Sequence, residues 1–254
     1  MQPVSPQMLL VVCPLVLLAG FVDAIAGGGG LISLPAYYLV GLPPALAAGT
    51  NKLAAAMGTT LAAYNYSRSG KIRRQIGFIA AAGAFVCSAL GVLLMKQLED
   101  PAIRWLVMGC IPIASFFTLR GAKTPDQPPE YSFRKTVLLS LAVGCSIGFY
   151  DGLIGPGTGT FLILLFMRIF GMEAVLASGT AKVVNLASNL AALLSLLITG
   201  DVVIFLGFPA GGCAMLGAFL GSRLTIRRGG RFVRYMMLVV LALLLAKLCL
   251  DMIR

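Results

Sequence analysis

The chain has 254 residues, 59% of them hydrophobic and only 11% charged, with a formal charge of +11 and no histidine. Soluble domains carry about 25% charged residues, and a water-soluble fold of this composition is excluded because it could not hide its apolar segments from solvent. The missing histidine removes the usual proton shuttle near neutral pH, the commonest metal ligand and any Ser-His-Asp triad, while basic residues gathered between apolar stretches mark cytoplasmic loops and not a nucleic-acid surface.

In chain order, the first eight residues hold no Lys or Arg, so the apolar stretch 8–26 reads as a retained helix and not a cleaved signal. A run of four glycines, Gly27, Gly28, Gly29 and Gly30, breaks it. A short apolar piece, 31–40, follows, and then a long one, 44–67. The basic connection Arg68, Lys71, Arg73 and Arg74 leads to 76–95, and a further apolar stretch covers 102–119. The segment 121–133 (GAKTPDQPPEYSF) is the only sizeable polar, Pro-bearing connection and separates residues 1–120 from 134–254. Beyond it come 136–154, the break Gly155-Pro156-Gly157-Thr158-Gly159, a short piece 160–170, and long stretches at 174–199, 202–220 and 232–250. At about 1.5 Å per residue the two short pieces cannot cross a bilayer core of about 30 Å. The expected fold is an all-α integral membrane protein with eight long transmembrane helices and two half-helices. Its cysteines, Cys13, Cys87, Cys110, Cys145, Cys213 and Cys249, lie inside apolar segments without C-x-x-C spacing and read as small core residues.

The two halves repeat each other. Gly20-Phe21-Val22-Asp23-Ala24-Ile25-Ala26-Gly27 matches Gly148-Phe149-Tyr150-Asp151-Gly152-Leu153-Ile154-Gly155 at an offset of 128. Ala48-Gly49-Thr50-Asn51-Lys52 matches Ser178-Gly179-Thr180-Ala181-Lys182 at an offset of 130. In the second half the basic cluster (Arg223, Arg227, Arg228, Arg231, Arg234) comes one helix later than in the first. If each short piece returns through part of the membrane, each half has five segments, the repeats are inverted, all strongly basic loops share one side, and both termini face the periplasm.

Charges inside apolar segments cost roughly 2.5 to 3.5 kcal/mol each at a helix centre, which singles out Asp23, Lys52, Asp151 and Lys182. One reading is a pair of structural Asp–Lys contacts that hold each repeat together; the other is a polar cavity. Ser178, Lys182, Asn185 and Asn189 share one helical face, whereas the first-half counterparts Ala48, Lys52, Ala55 and Thr59 make a smaller, mostly apolar one. Helices broken at membrane depth leave backbone groups that protein, water or ligand must satisfy, and half-helix N-termini near Leu31 and Thr160 would present N–H groups and positive dipole ends to an anion. The nucleotide-binding pattern G-x-x-x-x-G-K-[ST] does not occur, and no cofactor is expected.

The stretches G-F-V-D-A-I-A-G-G-G-G with A-G-T-N-K-L, and G-F-Y-D-G-L-I-G-P-G-T-G with S-G-T-A-K-V-V-N-L-A-S-N, resemble the TauE/SafE sulfite exporter family, also called the toluene sulfonate uptake permease family. The resemblance spans nearly the whole chain. It implies a bacterial inner-membrane transporter of sulfite, sulfonates or related small organic anions, with residues 27–30, 50–52, 155–159 and 180–185 along the substrate path. The expectation is a non-enzymatic secondary transporter whose anion binds near the midplane between the Gly breaks; an anion channel and a membrane-embedded enzyme with Asp23 and Asp151 as acid and base are its rivals. Binding is expected from Gly27, Gly28, Gly29, Gly30, Gly155, Gly157, Thr158 and Gly159 through their backbone, from Thr50, Asn51, Thr180 and Asn185 by hydrogen bonds, and from Lys182 and Lys52 by charge. Asp23 and Asp151 would balance the lysines or carry protons in a proton-coupled cycle. Because Ala55 stands opposite Asn185 in the repeat, the site should be asymmetric.

Overall fold

The computed structural model describes residues 4–98 and 129–253, and the apolar stretch expected at 102–119 lies outside them, as does most of the polar connection. The described residues form helices α1 (Pro6–Ala26), α2 (Gly30–Leu39), α3 (Pro44–Arg68), α4 (Arg74–Met95), α5 (Phe133–Leu153), α6 (Thr158–Phe170), α7 (Ala174–Ile198), α8 (Ile204–Arg228) and α9 (Gly230–Ile253). The order long, short, long, long therefore occurs twice, from α1 to α4 and from α5 to α8. Helix starts follow local chemistry: Ser5 caps α1, its side chain accepting from the Met8 N–H at 3.3 Å ahead of Pro6, and Ser132 caps α5 in the same way through the Lys135 N–H.

Burial runs opposite to that of a soluble protein. Asn51, Lys52, Asp151, Thr160, Lys182, Asn185 and Asn189 are buried, while Leu10, Phe78, Phe85, Leu90, Leu138, Leu194, Ile198, Phe205, Phe208 and Leu216 are exposed. Such a surface suits hydrocarbon and would aggregate in water. Five helices, α1, α4, α5, α7 and α8, are long and apolar enough to cross a membrane. Of the eight long helices expected, these five meet both criteria, α3 and α9 are not among them, and 102–119 lies outside the described residues. Helix α3 is as long as α7 and α8 but falls short in hydropathy, because Ala, Gly, Thr, Asn and Lys replace the lipid-facing leucines and much of its surface is covered by protein. Helix α8 reaches Arg228, eight residues past the predicted end, so that Arg223, Arg227 and Arg228 are helical.

Glycine ladders set the packing. In α5, Gly144, Gly148 and Gly152 lie on the backbone of Ala80, Ala84 and Ser88 of α4. In α8, Gly217 and Gly221 lie against Leu17 and Phe21 of α1, and Gly207 and Gly211 receive Leu53 and Met57 of α3. Small residues at this spacing let helices approach to backbone contact. Replacing Gly148 by Val, whose Cβ would come 2.6 Å from the Ala84 carbonyl oxygen, is expected to overpack the contact by about 1–3 kcal/mol and lower the melting temperature in detergent by about 5 °C; an unchanged melting curve would contradict this interface.

These registers also give direction. Contacts between α4 and α5, between α1 and α8, and between α3 and α8 advance together along both helices, so each pair is parallel. Helices α4 and α7 are parallel as well, with Gly77 at Thr180 and the Ser88 hydroxyl on the Ser188 carbonyl. Helices α3 and α7 instead run antiparallel: Tyr66 meets Ser178, Thr59 meets Asn189, and Ala56 and Leu53 pack with Ala192 and Leu196. Accordingly α1, α3 and α8 point one way and α4, α5 and α7 the other. The fourth helix of each half leaves its own half and packs on the first and third helices of the other.

Candidate functional site

At Gly27 (φ 79°) the chain leaves α1, and the last four carbonyls of that helix all find donors. The Gly27 N–H donates to the Asp23 carbonyl (2.9 Å), the Tyr66 hydroxyl to Ala24 (2.9 Å), the Ser178 hydroxyl to Ile25 (2.9 Å) and the Thr160 hydroxyl to Ala26 (2.7 Å). The second break turns at Gly155 (φ 88°) and Gly157 (φ 84°), where the Tyr150 hydroxyl donates to the Pro156 carbonyl at 2.7 Å. A broken helix inside a membrane protein needs such partners. The two breaks meet: a Cβ on Gly159 would lie 2.5 Å from the Gly27 Cα, and Gly30 faces Pro156.

A cavity of about 80 Å³ lies at this junction, room for several waters. Of the residues singled out from the sequence, Asp23, Gly27, Gly29, Gly30, Asn51, Lys52, Asp151, Gly155, Thr158, Gly159 and Asn185 line it. Ser33, Thr59 and Asn189 complete the polar wall, and Val16, Leu34, Met95, Leu153, Ile154 and Leu196 are among its apolar members. The first turns of α2 and α6 begin at its edge; the N–H groups of Leu31, Ile32 and Thr158 donate to the Gly28, Gly29 and Gly155 carbonyls, and those of Gly30, Gly159 and Thr160 have no backbone acceptor among the described residues. Asn51 and Asn185 are only 9% and 5% exposed. Neither side-chain amide bonds to another described residue, and both belong to the cavity wall.

The three buried charges, Lys52, Asp151 and Lys182, and the partly buried Asp23 form crossed pairs. Lys52 Nζ of the first half lies 2.7 Å from Asp151 Oδ2 of the second and donates to Asn189 Oδ1 at 3.0 Å, while Asp151 Oδ1 accepts from the Thr158 hydroxyl at 2.8 Å. Lys182 Nζ of the second half lies 2.8 Å from Asp23 Oδ2 of the first, whose Oδ1 faces the Gly29 N–H at 3.4 Å. The contacts therefore bind one repeat to the other, not each repeat to itself. They are also unequal: the Lys182 side chain is wholly buried, whereas that of Asp23 is 23% exposed. Lys182 is held behind Asp23 and is not on the cavity wall; Lys52 is the lysine on that wall.

Four other expected contacts serve the fold. The Thr50 hydroxyl accepts from the Val203 N–H, and that of Thr180 from the Arg73 N–H, both at 3.0 Å. Each caps the fourth helix of the opposite half, while Gly49 and Gly179 make room for the backbone of Asp201 and Lys71. The Gly-Thr-x-Lys motif is thus a clasp followed by a lysine that reaches inward. Gly28 packs on Val240, and Gly157 supplies the left-handed turn before α6. Thr180→Val is expected to cost about 1 kcal/mol, lowering the melting temperature by about 2–4 °C while leaving the KM for substrate unchanged in transport assays. Ser33, Tyr66 and Tyr150 escaped the sequence reading; Tyr150 adjoins Asp151 in the repeated motif, but Tyr66 carries no such signal. Cys13, Cys87, Cys145 and Cys213 are free thiols.

The sequence profile of the sulfite exporter TauE/SafE family matches residues 12–248. A probable membrane transporter protein of Haemophilus influenzae is 35% identical over 234 residues, covering 92% of this chain and 91% of its own. The probable membrane transporter protein YfcA of Escherichia coli is 34% identical over 248 residues, covering 98% and 92%, and ORF9 of a Sinorhizobium species, named likewise, is 31% identical over 99% and 96%. No solved structure gives a significant match. Apolar helices around a polar junction and the near-complete match of the family profile lead to one conclusion: the chain is a multi-pass membrane transporter belonging to the sulfite exporter TauE/SafE family.

Proposed function

We propose that the protein is a secondary transporter that binds a small monovalent anion, such as a sulfonate, hydrogen sulfite or a small carboxylate, near the membrane midplane where the two helix breaks meet. The observation that carries this reading is the pair of nearly buried amides, Asn51 and Asn185, with unused hydrogen-bonding capacity on the wall of a cavity at which two helix N-termini begin. Helix starts and amide donors both favour an anion, and the carbonyls of the α1 break are already occupied. In the bacterial inner membrane, α3 and α9 would cross with the five strongly apolar helices, and α2 and α6 would enter as half-helices.

The opposed directions of α1 and α5, α3 and α7, and α4 and α8 support an inverted repeat. In that orientation Arg68, Lys71, Arg73, Arg74, Arg134, Lys135, Arg168, Arg223, Arg227, Arg228, Arg231 and Arg234 fall at one face, the cytoplasmic side by the distribution of positive charge. The opposite face holds the Lys96–Asp201 pair, the start of α1 and the end of α9, an arrangement that supports periplasmic termini. Alternating access would come from rocking of one half against the other. The test is counterflow of isotopically labelled methanesulfonate into liposomes containing the purified protein and preloaded with unlabelled compound. Saturable exchange, competed by sulfite and acetate, is expected; uptake no faster than in protein-free liposomes overturns the reading.

A further inference from the structure

Resting on the proposed anion site, we infer that Asp23 is the coupling residue and that each monovalent anion crosses with one proton. Among the described residues the four charges at the junction, the buried Lys52, Asp151 and Lys182 and the partly exposed Asp23, sum to zero. An anion entering this cavity adds a charge that no described side chain balances, in surroundings where unbalanced charge is strongly disfavoured. One proton removes the difficulty.

The two carboxylates are not equivalent carriers. Asp151 accepts from both Lys52 and Thr158 and is 3% exposed; Asp23 lines the cavity, is 23% exposed, and has Lys182 and the Gly29 N–H as partners. Lys182 lies on α7, and across the cavity are Lys52 of α3 and Asp151 of α5. Tyr66 of α3, whose hydroxyl donates to the Ala24 carbonyl, is the remaining titratable neighbour among the described residues. The neighbouring positions of α2, α6, α8 and α9, Gly30, Thr158, Ala214, Ala218 and Val240, hold no ionisable group.

The step balances simply. A hydronium ion delivered through cavity water transfers its proton to the Asp23 carboxylate, leaving water and a neutral carboxylic acid, and Lys182 keeps its protons. The group sum becomes +1, the anion returns it to zero, and on the far side Asp23 gives the proton back to water as the anion leaves. The loaded and the empty cavity then carry the same charge, so net transport moves no charge across the membrane.

Methanesulfonate tests this because it remains ionised and cannot carry the proton itself. In liposomes containing the full chain, a gradient of one pH unit should accumulate it about tenfold on the alkaline side. A potassium diffusion potential of about 100 mV, set with valinomycin, should leave its distribution unchanged, whereas an uncoupled monoanion would shift about 50-fold. Asp23→Asn should abolish the response to pH, and Asp23→Glu should retain it. A wild-type protein that exchanges methanesulfonate but follows the potential and ignores pH overturns the coupling and leaves the anion site standing. Retention of the full tenfold response by Asp23→Asn overturns the assignment to Asp23. Absence of counterflow overturns the site and the coupling with it.

Discussion

Asp151→Asn and Lys52→Met, made singly, are each expected to lose about 3–5 kcal/mol of stability, because each strands one half of a buried ion pair. The Lys52 ammonium would keep the Asn189 oxygen but lose its counter-charge, and the Asp151 carboxylate would keep only the Thr158 hydroxyl. The double variant removes both charges and should recover most of that loss, since exchanging an intact buried pair for apolar or neutral groups is often close to neutral. Thermal unfolding of the four proteins in detergent gives the coupling energy. Transport should separate from stability: with no cation left on the cavity wall, the double variant is expected to fold yet move methanesulfonate at least tenfold more slowly than wild type. Wild-type flux in the double variant would reduce the pair to a strut between the repeats. Full stability in either single variant would mean that the pair is not formed.

That experiment turns on a relationship which the sequence could not supply. The internal repeat aligns Asp23 with Asp151 and Lys52 with Lys182, so it announces two equivalent acids and two equivalent bases. It does not say whether an acid meets the base of its own half. The choice follows from tertiary topology: the fourth helix of each half crosses to the other, Thr50 and Thr180 clasp the loops that cross, and the lysines beyond them point into the opposite repeat. Helix positions were legible because Gly and Pro punctuate the chain where the backbone must turn, and observed ends mostly fall within three residues of those expected. The far end of α8 was missed because its arginines read as a loop, although a helix can run on past the bilayer. The meeting of the two breaks followed from physics, since severed helix ends require partners. Which member of each motif would face the cavity did not, because within the buried stretch of a helix polarity alone does not separate a residue that bonds to protein, such as Thr180, from one whose side chain bonds to no described residue, such as Asn185.

Asn51→Ala and Asn185→Ala give the opposite pattern from the ion pair. Because neither amide bonds to another described residue, their loss should change the melting temperature little. Because each would offer a hydrogen bond to a charged ligand, a contact worth about 1.5–3 kcal/mol, each should raise the KM for methanesulfonate roughly ten- to hundredfold. The two residues come from different helices and different halves, Asn51 from α3 and Asn185 from α7, and their repeat counterparts, Ala181 and Ala55, cannot replace them. A single anion held between both amides predicts that the double variant loses less than the sum of the two single losses, since an ion released from one wall no longer sits at the distance the other requires. Strictly additive losses would instead describe two independent contacts. An unchanged KM together with a lowered melting temperature would make the asparagines packing residues and remove the strongest support for an anion at the junction of the breaks.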